Sequence, residues 1–182
     1  MIDNPRIDDL RRRVQKDPAS IAFAQLAEEY RRAGRHAEAV EVCRAGLAIH
    51  PGYLSARVTL GRALLELGDL DAARQELQAV RAGAPENLSA IRGLAEIHQR
   101  RGDLSASLSQ YQTALSLAPN DPDLEETVAD LARQVDARTR TEALVALQPE
   151  PSEAERDRAV RTAAALEEFL AAIHAAGAHP HP

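Results

Sequence analysis

The residues of this sequence that could do chemistry are one cysteine, six histidines and 28 carboxylates. Cys43 lies in an apolar helical pattern, which predicts a small core residue rather than a nucleophile. The carboxylates lie beside arginines, as they do on solvated helix faces. His179 and His181 can bind a metal weakly, but the terminal segment AHPHP is more typical of a frayed tail. Because no nucleophile–base arrangement, phosphate-binding glycine loop or metal-ligand spacing occurs, the sequence predicts no enzyme activity, no metal site and no cofactor.

The composition favours helices. Hydrophobic residues make up 45% of the chain and aromatic residues 3%, and the predominance of Ala and Leu predicts an all-α fold. A net charge of −6 argues against nucleic-acid binding, which normally needs a basic surface. No stretch reaches the ~18 consecutive apolar residues of a membrane span, so we predict a cytoplasmic protein with no membrane insertion. A single lysine among many arginines suggests a GC-rich bacterial genome.

Glycine and proline recur with a fixed period. Three glycines are spaced by 34 residues and three prolines follow the same interval, namely Gly34, Gly68 and Gly102, then Pro51, Pro85 and Pro119. A period between 20 and 50 residues indicates a repeat architecture. Glycine ends a helix in the left-handed conformation, and Asp69 or Asp103 just after it can accept the first amide hydrogens of a second helix. Each period therefore predicts two antiparallel helices joined by a tight turn.

Small and large side chains also keep this period. The small residues, which let two helix backbones approach closely, are Ala27, Gly61 and Ala95 on the first helices and Ala39, Ala73 and Ser107 on the second. The large residues that fill the space around them are Phe23, Leu26, Tyr30, Leu60, Leu64, Ile91 and Leu94 on the first helices, and Cys43, Leu77 and Tyr111 on the second.

This pattern resembles the tetratricopeptide repeat family over residues 20–121. The family's motif is matched by Phe23, Leu26, Ala27, Tyr30, Ala39, Cys43, Gly46 and Pro51, and in the later copies by Leu60, Gly61, Leu64, Ala73, Leu77, Val80 and Pro85, then Leu94, Ala95, His98, Ser107, Tyr111, Ala114 and Pro119. The resemblance implies a right-handed α-solenoid of three helix pairs, at residues 20–53, 54–87 and 88–121. Two positions depart from the motif: Arg57 replaces a large apolar residue, and His98 replaces Tyr or Leu.

The chain ends extend this array. An apolar stripe of Ile7, Leu10 and Val14 after Asn4-Pro5 predicts a capping helix within residues 1–19. Residues 122–148 continue the period but carry Asp136 at the expected glycine, so they are either a degenerate fourth repeat or a capping helix. Residues 149–158 suit an exposed linker, and Ser152 with Glu155 is a capping-box signature for a last helix.

We predict a separate C-terminal amphipathic helix and its tail within residues 159–182. One face carries apolar side chains that must be buried against something, at Val160, Leu166, Phe169, Leu170 and Ile173. Three partners for this face stay open: the array of the same molecule, a second copy of the chain, or another protein.

The resemblance implies that the first helices line a concave groove. Its groove-facing positions are Ile21, Ala24, Glu28 and Arg31, then Ser55, Val58, Arg62 and Leu65, then Ser89, Arg92, Glu96 and Gln99. Some family members clamp a terminal carboxylate of chaperone tails, but Ala24, Glu28, Thr59, Ser89 and Gly93 occupy those positions here. The prediction is a noncatalytic protein–protein interaction scaffold that binds a peptide segment through the arginines and through Ile21, Val58 and Leu65. The alternative is a self-associating or autoinhibited assembly subunit that docks through its C-terminal helix.

Overall fold

The computed structural model describes residues 5–147 and 152–177, and within them the chain is helical without strands. The helices are α1 Pro5–Lys16, α2 Ala22–Arg32, α3 His36–Ile49, α4 Leu54–Glu66, α5 Leu70–Gly83, α6 Leu88–Arg100, α7 Leu104–Leu117, α8 Pro122–Ala146 and α9 Glu153–Gly177. The chain divides into two compact units at residue 137. Each unit is described separately below.

The first unit is a stack of antiparallel helix pairs. Each helix from α1 to α7 packs against its neighbours in sequence, and the first helices α2, α4 and α6 also pack side by side. This arrangement makes an inner row of first helices and an outer row of second helices α3, α5 and α7. The predicted all-α right-handed solenoid is therefore confirmed.

Glycine turns join the two helices of each pair. Gly34, Gly68 and Gly102 have φ angles of +72°, +82° and +77°, which side chains with a Cβ rarely adopt. The next helix begins with an aspartate cap in two cases, because Asp69 Oδ1 accepts from Ala72 N and Asp103 Oδ1 from Ala106 N, each at 3.1 Å. The predicted turn chemistry is present at both positions.

The small residues at the pair contacts are fully buried. Ala27, Ala39, Ala73, Ala95 and Ser107 have no exposed surface. The Ser107 hydroxyl donates a 2.9 Å hydrogen bond to the Ala95 carbonyl, which satisfies the one polar group among them. Close backbone approach is therefore built into every pair.

The two motif departures are accommodated by polar contacts. Arg57 donates to the Pro51 carbonyl at 2.9 Å and 3.1 Å, and it forms a 2.6 Å ion pair with Glu76. His98 Nδ1 lies 3.5 Å from the Asp103 carboxylate. Arg57 thus connects α4 to the preceding turn and to α5, where the family's apolar residue would connect them by packing.

Helices cover both ends of the array. At the first end, Ile7 and Leu10 of α1 are buried against α2, while Asn4, the predicted cap, lies outside the described residues. At the other end, Leu124 and Leu131 of α8 are buried. Helix α8 continues through Thr139 without a break, so residues 122–146 do not form a helix pair. Asp136 explains this, because no glycine is present to take the left-handed turn.

The second unit contains α9, which begins earlier than predicted. Ser152 N donates to Glu155 Oε2 at 2.8 Å and Glu155 N donates to Ser152 Oγ at 3.4 Å, so this capping box starts the helix at Glu153. Residues 153–158, predicted as linker, are therefore its first turns. The hydrogen bonds that Ser152 N and Ser152 Oγ donate to the Glu155 carboxylate hold the pKa of Glu155 below its usual range.

None of the described helices is both long enough and apolar enough to cross a membrane.

Candidate functional site

Two depressions lie along the inner row of the first unit. The α2–α4 pocket is lined by Ala24, Glu28, Ser55, Thr59 and neighbouring residues. The α4–α6 pocket is lined by Arg62, Leu65, Glu66, Arg92, Gly93, Glu96 and Tyr111. Seven of the twelve predicted groove-facing positions line one of these two pockets: Ala24, Glu28 and Ser55 in the first, and Arg62, Leu65, Arg92 and Glu96 in the second. Ile21, Arg31, Val58, Ser89 and Gln99 line neither.

A network of hydrogen bonds neutralises Arg31. Glu28 accepts two 2.9 Å hydrogen bonds from the Arg31 guanidinium and one of 3.0 Å from Arg32. Thr59 Oγ1 donates to the same carboxylate at 3.3 Å. The Arg31 contact lowers the pKa of Glu28, and the Glu28 contact raises the pKa of Arg31. Both groups are charged at neutral pH, and each side chain is the ion-pair partner of the other.

Two arginines of α6 are also paired within the fold. Arg92 forms a 3.0 Å ion pair with Asp121, in the turn before α8. Arg100 donates at 2.6 Å to the Glu96 carboxylate and at 2.6 Å to the Leu65 carbonyl, which links α6 to α4. We predicted that Arg31 and Arg92 pair with a partner, but the structure shows both in intramolecular pairs.

Arg62 and Glu66 differ from these paired side chains. Within the described part of the chain, neither side chain makes a hydrogen bond or an ion pair, although they lie one turn apart on α4. Arg62 is partly buried and Glu66 is exposed. The pKa of Arg31 is raised mainly by its Glu28 hydrogen bond, and the charge of Glu66 makes only the smallest contribution to it. Glu66 therefore acts on Arg31 from a distance without binding it.

Tyr111 of α7 lines the same pocket as Arg62 and Glu66. Burial and the charge of Glu96 raise the pKa of Tyr111, so its hydroxyl is protonated at neutral pH. Sequence reasoning missed Glu66 and Tyr111 as pocket residues. The spacing of Glu66 four residues after Arg62 was a usable signal, because such residues are neighbours on one helix face.

The predicted apolar contacts are only partly accessible. Leu65 is 2% exposed and belongs to the core, so it forms the pocket floor and does not project toward a partner. Val58 is partly buried against the same core. Ile21 is 58% exposed, at the start of α2. Leu65 therefore stays a predicted apolar contact as part of the pocket floor, where packing covers most of its side chain.

The thiol of Cys43 lies in the core of this fold. Cys43 is buried, and burial together with the carboxylates of Glu28 and Glu76 raises its pKa to about 12. No group of three or more His, Cys, Asp or Glu side chains suited to a metal ion occurs among the described residues. His179 and His181 lie outside that part of the chain.

The predicted docking face of α9 is open to solvent. Its side chains are exposed by 68% at Val160, 56% at Leu166, 62% at Phe169, 51% at Leu170 and 51% at Ile173. All described side chains of this helix are exposed. An exposed group of large apolar side chains of this kind often marks an interaction surface.

These features define a class of helical repeat proteins, and comparison with known proteins gives the family that the chain resembles. The family model described as tetratricopeptide repeat matches residues 30–94, and the three in-phase glycine turns agree with it. The matched part of the chain is similar to the tetratricopeptide repeat family.

One curated relative is similar to the chain in sequence. The chain is 32% identical over 101 residues to bacteriophage adsorption protein A of Escherichia coli strain K12, a match that covers 56% of this chain and 10% of the relative. The matched part thus spans about a tenth of that relative's length.

Several solved structures share the fold. MamA 41-end from Desulfovibrio magneticus RS-1 has a TM-score of 0.65 at 21% identity, with 76% and 80% of the two chains covered. TTC0263, a thermophilic repeat protein of Thermus thermophilus, has a TM-score of 0.62 at 26% identity, with 71% and 72% covered. The first repeat domain of Spaghetti (RPAP3), bound to the HSP90 peptide SRMEEVD, has a TM-score of 0.61 at 14% identity, with 65% and 94% covered.

Proposed function

We propose that this chain is a noncatalytic protein-interaction module whose concave surface binds a peptide segment of a partner protein. The observation that carries this proposal is the α4–α6 pocket, where Arg62 and Glu66 make no hydrogen bond or ion pair within the described residues. Charged groups left unpaired in a concave site are available to a ligand. The fold is compatible with this function, because the solved structure of the similar RPAP3 domain contains a bound HSP90 peptide.

The physics of the groove fits a weak, modular interaction. The helices that line it are fixed by the core beneath them, so binding orders few groove side chains. Each partly exposed ion pair contributes roughly 0.2–1 kcal/mol. Several contacts along the two pockets must therefore act together, as they do along an extended or helical peptide.

A bulky substitution in the groove tests the proposal without breaking internal pairs. Replacing Arg31 would remove two of the hydrogen bonds that Glu28 accepts, and replacing Arg92 would remove the ion-pair partner of Asp121. These residues therefore make poor probes. Ser55 is exposed and lines the α2–α4 pocket, so Ser55→Trp obstructs the groove. The matched control is Ser109→Trp, at an exposed position on the outer helix α7.

Both variants and the unmodified chain are immobilised and compared for capture of proteins from the host lysate, after their melting temperatures are shown to agree. A protein retained by the unmodified chain and by Ser109→Trp, but lost with Ser55→Trp, supports binding in the groove. Equal retention by all three overturns it.

A second function, self-association through α9, is favoured by the exposure of its five large apolar side chains. The pair Leu166→Lys and Leu170→Lys places charges on that face, whereas Ala164→Lys with Ala172→Lys places them on the opposite side of the helix. If α9 joins two copies, sedimentation equilibrium shows a dimer that only the first pair converts to a monomer. A monomeric unmodified chain at tens of micromolar contradicts this function.

A further inference from the structure

The charged side chains along the groove differ in whether they already have an ion-pair partner within the fold. Arg31 is bound to Glu28, Arg92 to Asp121 and Arg100 to Glu96. Arg62 is the groove arginine that is left without an ion pair within the described residues, and Glu66 is the carboxylate left without one beside it. A partner that pairs with Arg31 or Arg92 must first displace an internal carboxylate, whereas Arg62 and Glu66 present no such competition.

The position of Arg62 also strengthens any pair that it forms. Its side chain is partly buried and lies in a pocket with Tyr111 and the floor residue Leu65. Partial burial reduces screening by water, so a carboxylate bound there is held more strongly than on an open surface. The guanidinium presents up to two parallel N–H donors to such a carboxylate.

Glu66 adds a second requirement. It follows Arg62 by one helical turn, which is about 6 Å along α4 at 1.5 Å per residue. A purely acidic ligand that pairs with Arg62 would bring its next carboxylate toward Glu66, which is unfavourable. A ligand with a basic group about 6 Å from its acidic group satisfies both charges.

We infer that the α4–α6 pocket selects a peptide of mixed charge, with an acidic side chain on Arg62 and a basic side chain on Glu66. The required spacing of about 6 Å corresponds to two residues along an extended peptide or to four along a helix. This inference rests on the proposed function, since it names the ligand chemistry of the same groove.

The probe is a displayed library of random twelve-residue peptides, selected on the full chain. The expected consensus has one acidic and one basic residue separated by two or four positions. For a selected peptide, Arg62→Glu lowers the affinity at least tenfold, and replacing the peptide's acidic residue by Arg restores the affinity for that variant. The matched control is Arg44→Glu, an equal charge change at an exposed position of the outer helix α3, which leaves the affinity within twofold.

The outcomes separate the inference from the proposed function. If selected peptides lose binding with Ser55→Trp but bind Arg62→Glu as tightly as the unmodified chain, the groove function holds and the inference is overturned. A consensus of acidic residues without a basic one also overturns it. If no peptide is selected, or if binding survives both Ser55→Trp and Arg62→Glu, the proposed function itself fails.

Discussion

The ring of Phe23 lies directly on the backbone of Gly46, so closely that a Cβ at Gly46 would stand 2.1 Å from Phe23 Cδ2. Both residues are buried, and the contact joins α2 to α3 within the first repeat. A glycine in the middle of a helix costs roughly 0.5–1 kcal/mol relative to alanine. The fold accepts that cost because this contact admits no side chain.

We expect Gly46→Ala to destabilise the chain by about 1–3 kcal/mol, since a Cβ would force the Phe23 ring out of its position. Urea unfolding followed by circular dichroism measures the change. Gly52→Ala is the matched control, because a Cβ at Gly52 meets nothing within 4 Å, and its effect should stay within about 0.5 kcal/mol. Equal stability of the two variants would contradict the packing described.

Leu77 occupies the space of two absent side chains. A Cβ at Gly61 would stand 2.7 Å from Leu77 Cγ, and one at Gly93 would stand 2.7 Å from Leu77 Cδ1. Gly61→Ala should therefore cost about 1–3 kcal/mol in the unmodified chain. In a Leu77→Ala background the obstacle is gone, and the same substitution should stabilise by up to about 1 kcal/mol through helix propensity. A double-mutant cycle that shows no such change of sign would rule out the contact.

Cys43 makes the free energy of unfolding fall at alkaline pH. Its pKa is raised from 9.0 to about 12 by burial, so the unfolded state releases the thiol proton at a lower pH than the folded state does. The stabilisation is complete below pH 9 and is lost as the pH rises toward 12. At pH 10.5 the loss amounts to about 2 kcal/mol relative to pH 8.

The test compares the unmodified chain with Cys43→Ala at pH 8 and pH 10.5. The other side chains are common to both proteins, so their effect cancels in the comparison. We expect the unmodified chain to lose about 2 kcal/mol more than the variant over this interval. Parallel losses in the two proteins would show that Cys43 is not protected.

Arg57 and Glu76 should be energetically coupled. Their 2.6 Å ion pair links α4 to α5, and each side chain is only 25% exposed, so screening is weaker than at the surface. A cycle of Arg57→Met and Glu76→Gln should give a coupling near about 1 kcal/mol, at the upper end for such pairs. Arg12 with Asp9, at 3.7 Å and with side chains 75% and 60% exposed, is the control and should give about 0.3 kcal/mol or less. A coupling free energy no larger than that of Arg12 and Asp9 would mean that the Arg57–Glu76 ion pair does not stabilise the fold.

Local chemistry made much of the fold predictable. The glycines at 34, 68 and 102 adopt positive φ as their spacing indicated, and Asp69 and Asp103 cap the helices that follow them. A helix end depends on a few neighbouring residues, so its signals stand together in the chain. The same reasoning explains why α9 begins at the Ser152–Glu155 capping box, although the predicted linker extended to residue 158.

The groove was harder to predict because its character depends on distant residues. The sequence by itself determined the 34-residue period, the helix pairs and the rows of residues along each first helix, since these follow from local turns and helical spacing. Only the tertiary structure decided which groove groups remain available. Arg92 is paired by Asp121, 29 positions away, and Leu65 is covered by packing between helices, while Arg62 and Glu66 form no ion pair in the described fold. Pairing and burial depend on which helices come to lie side by side, and that is a property of the folded chain.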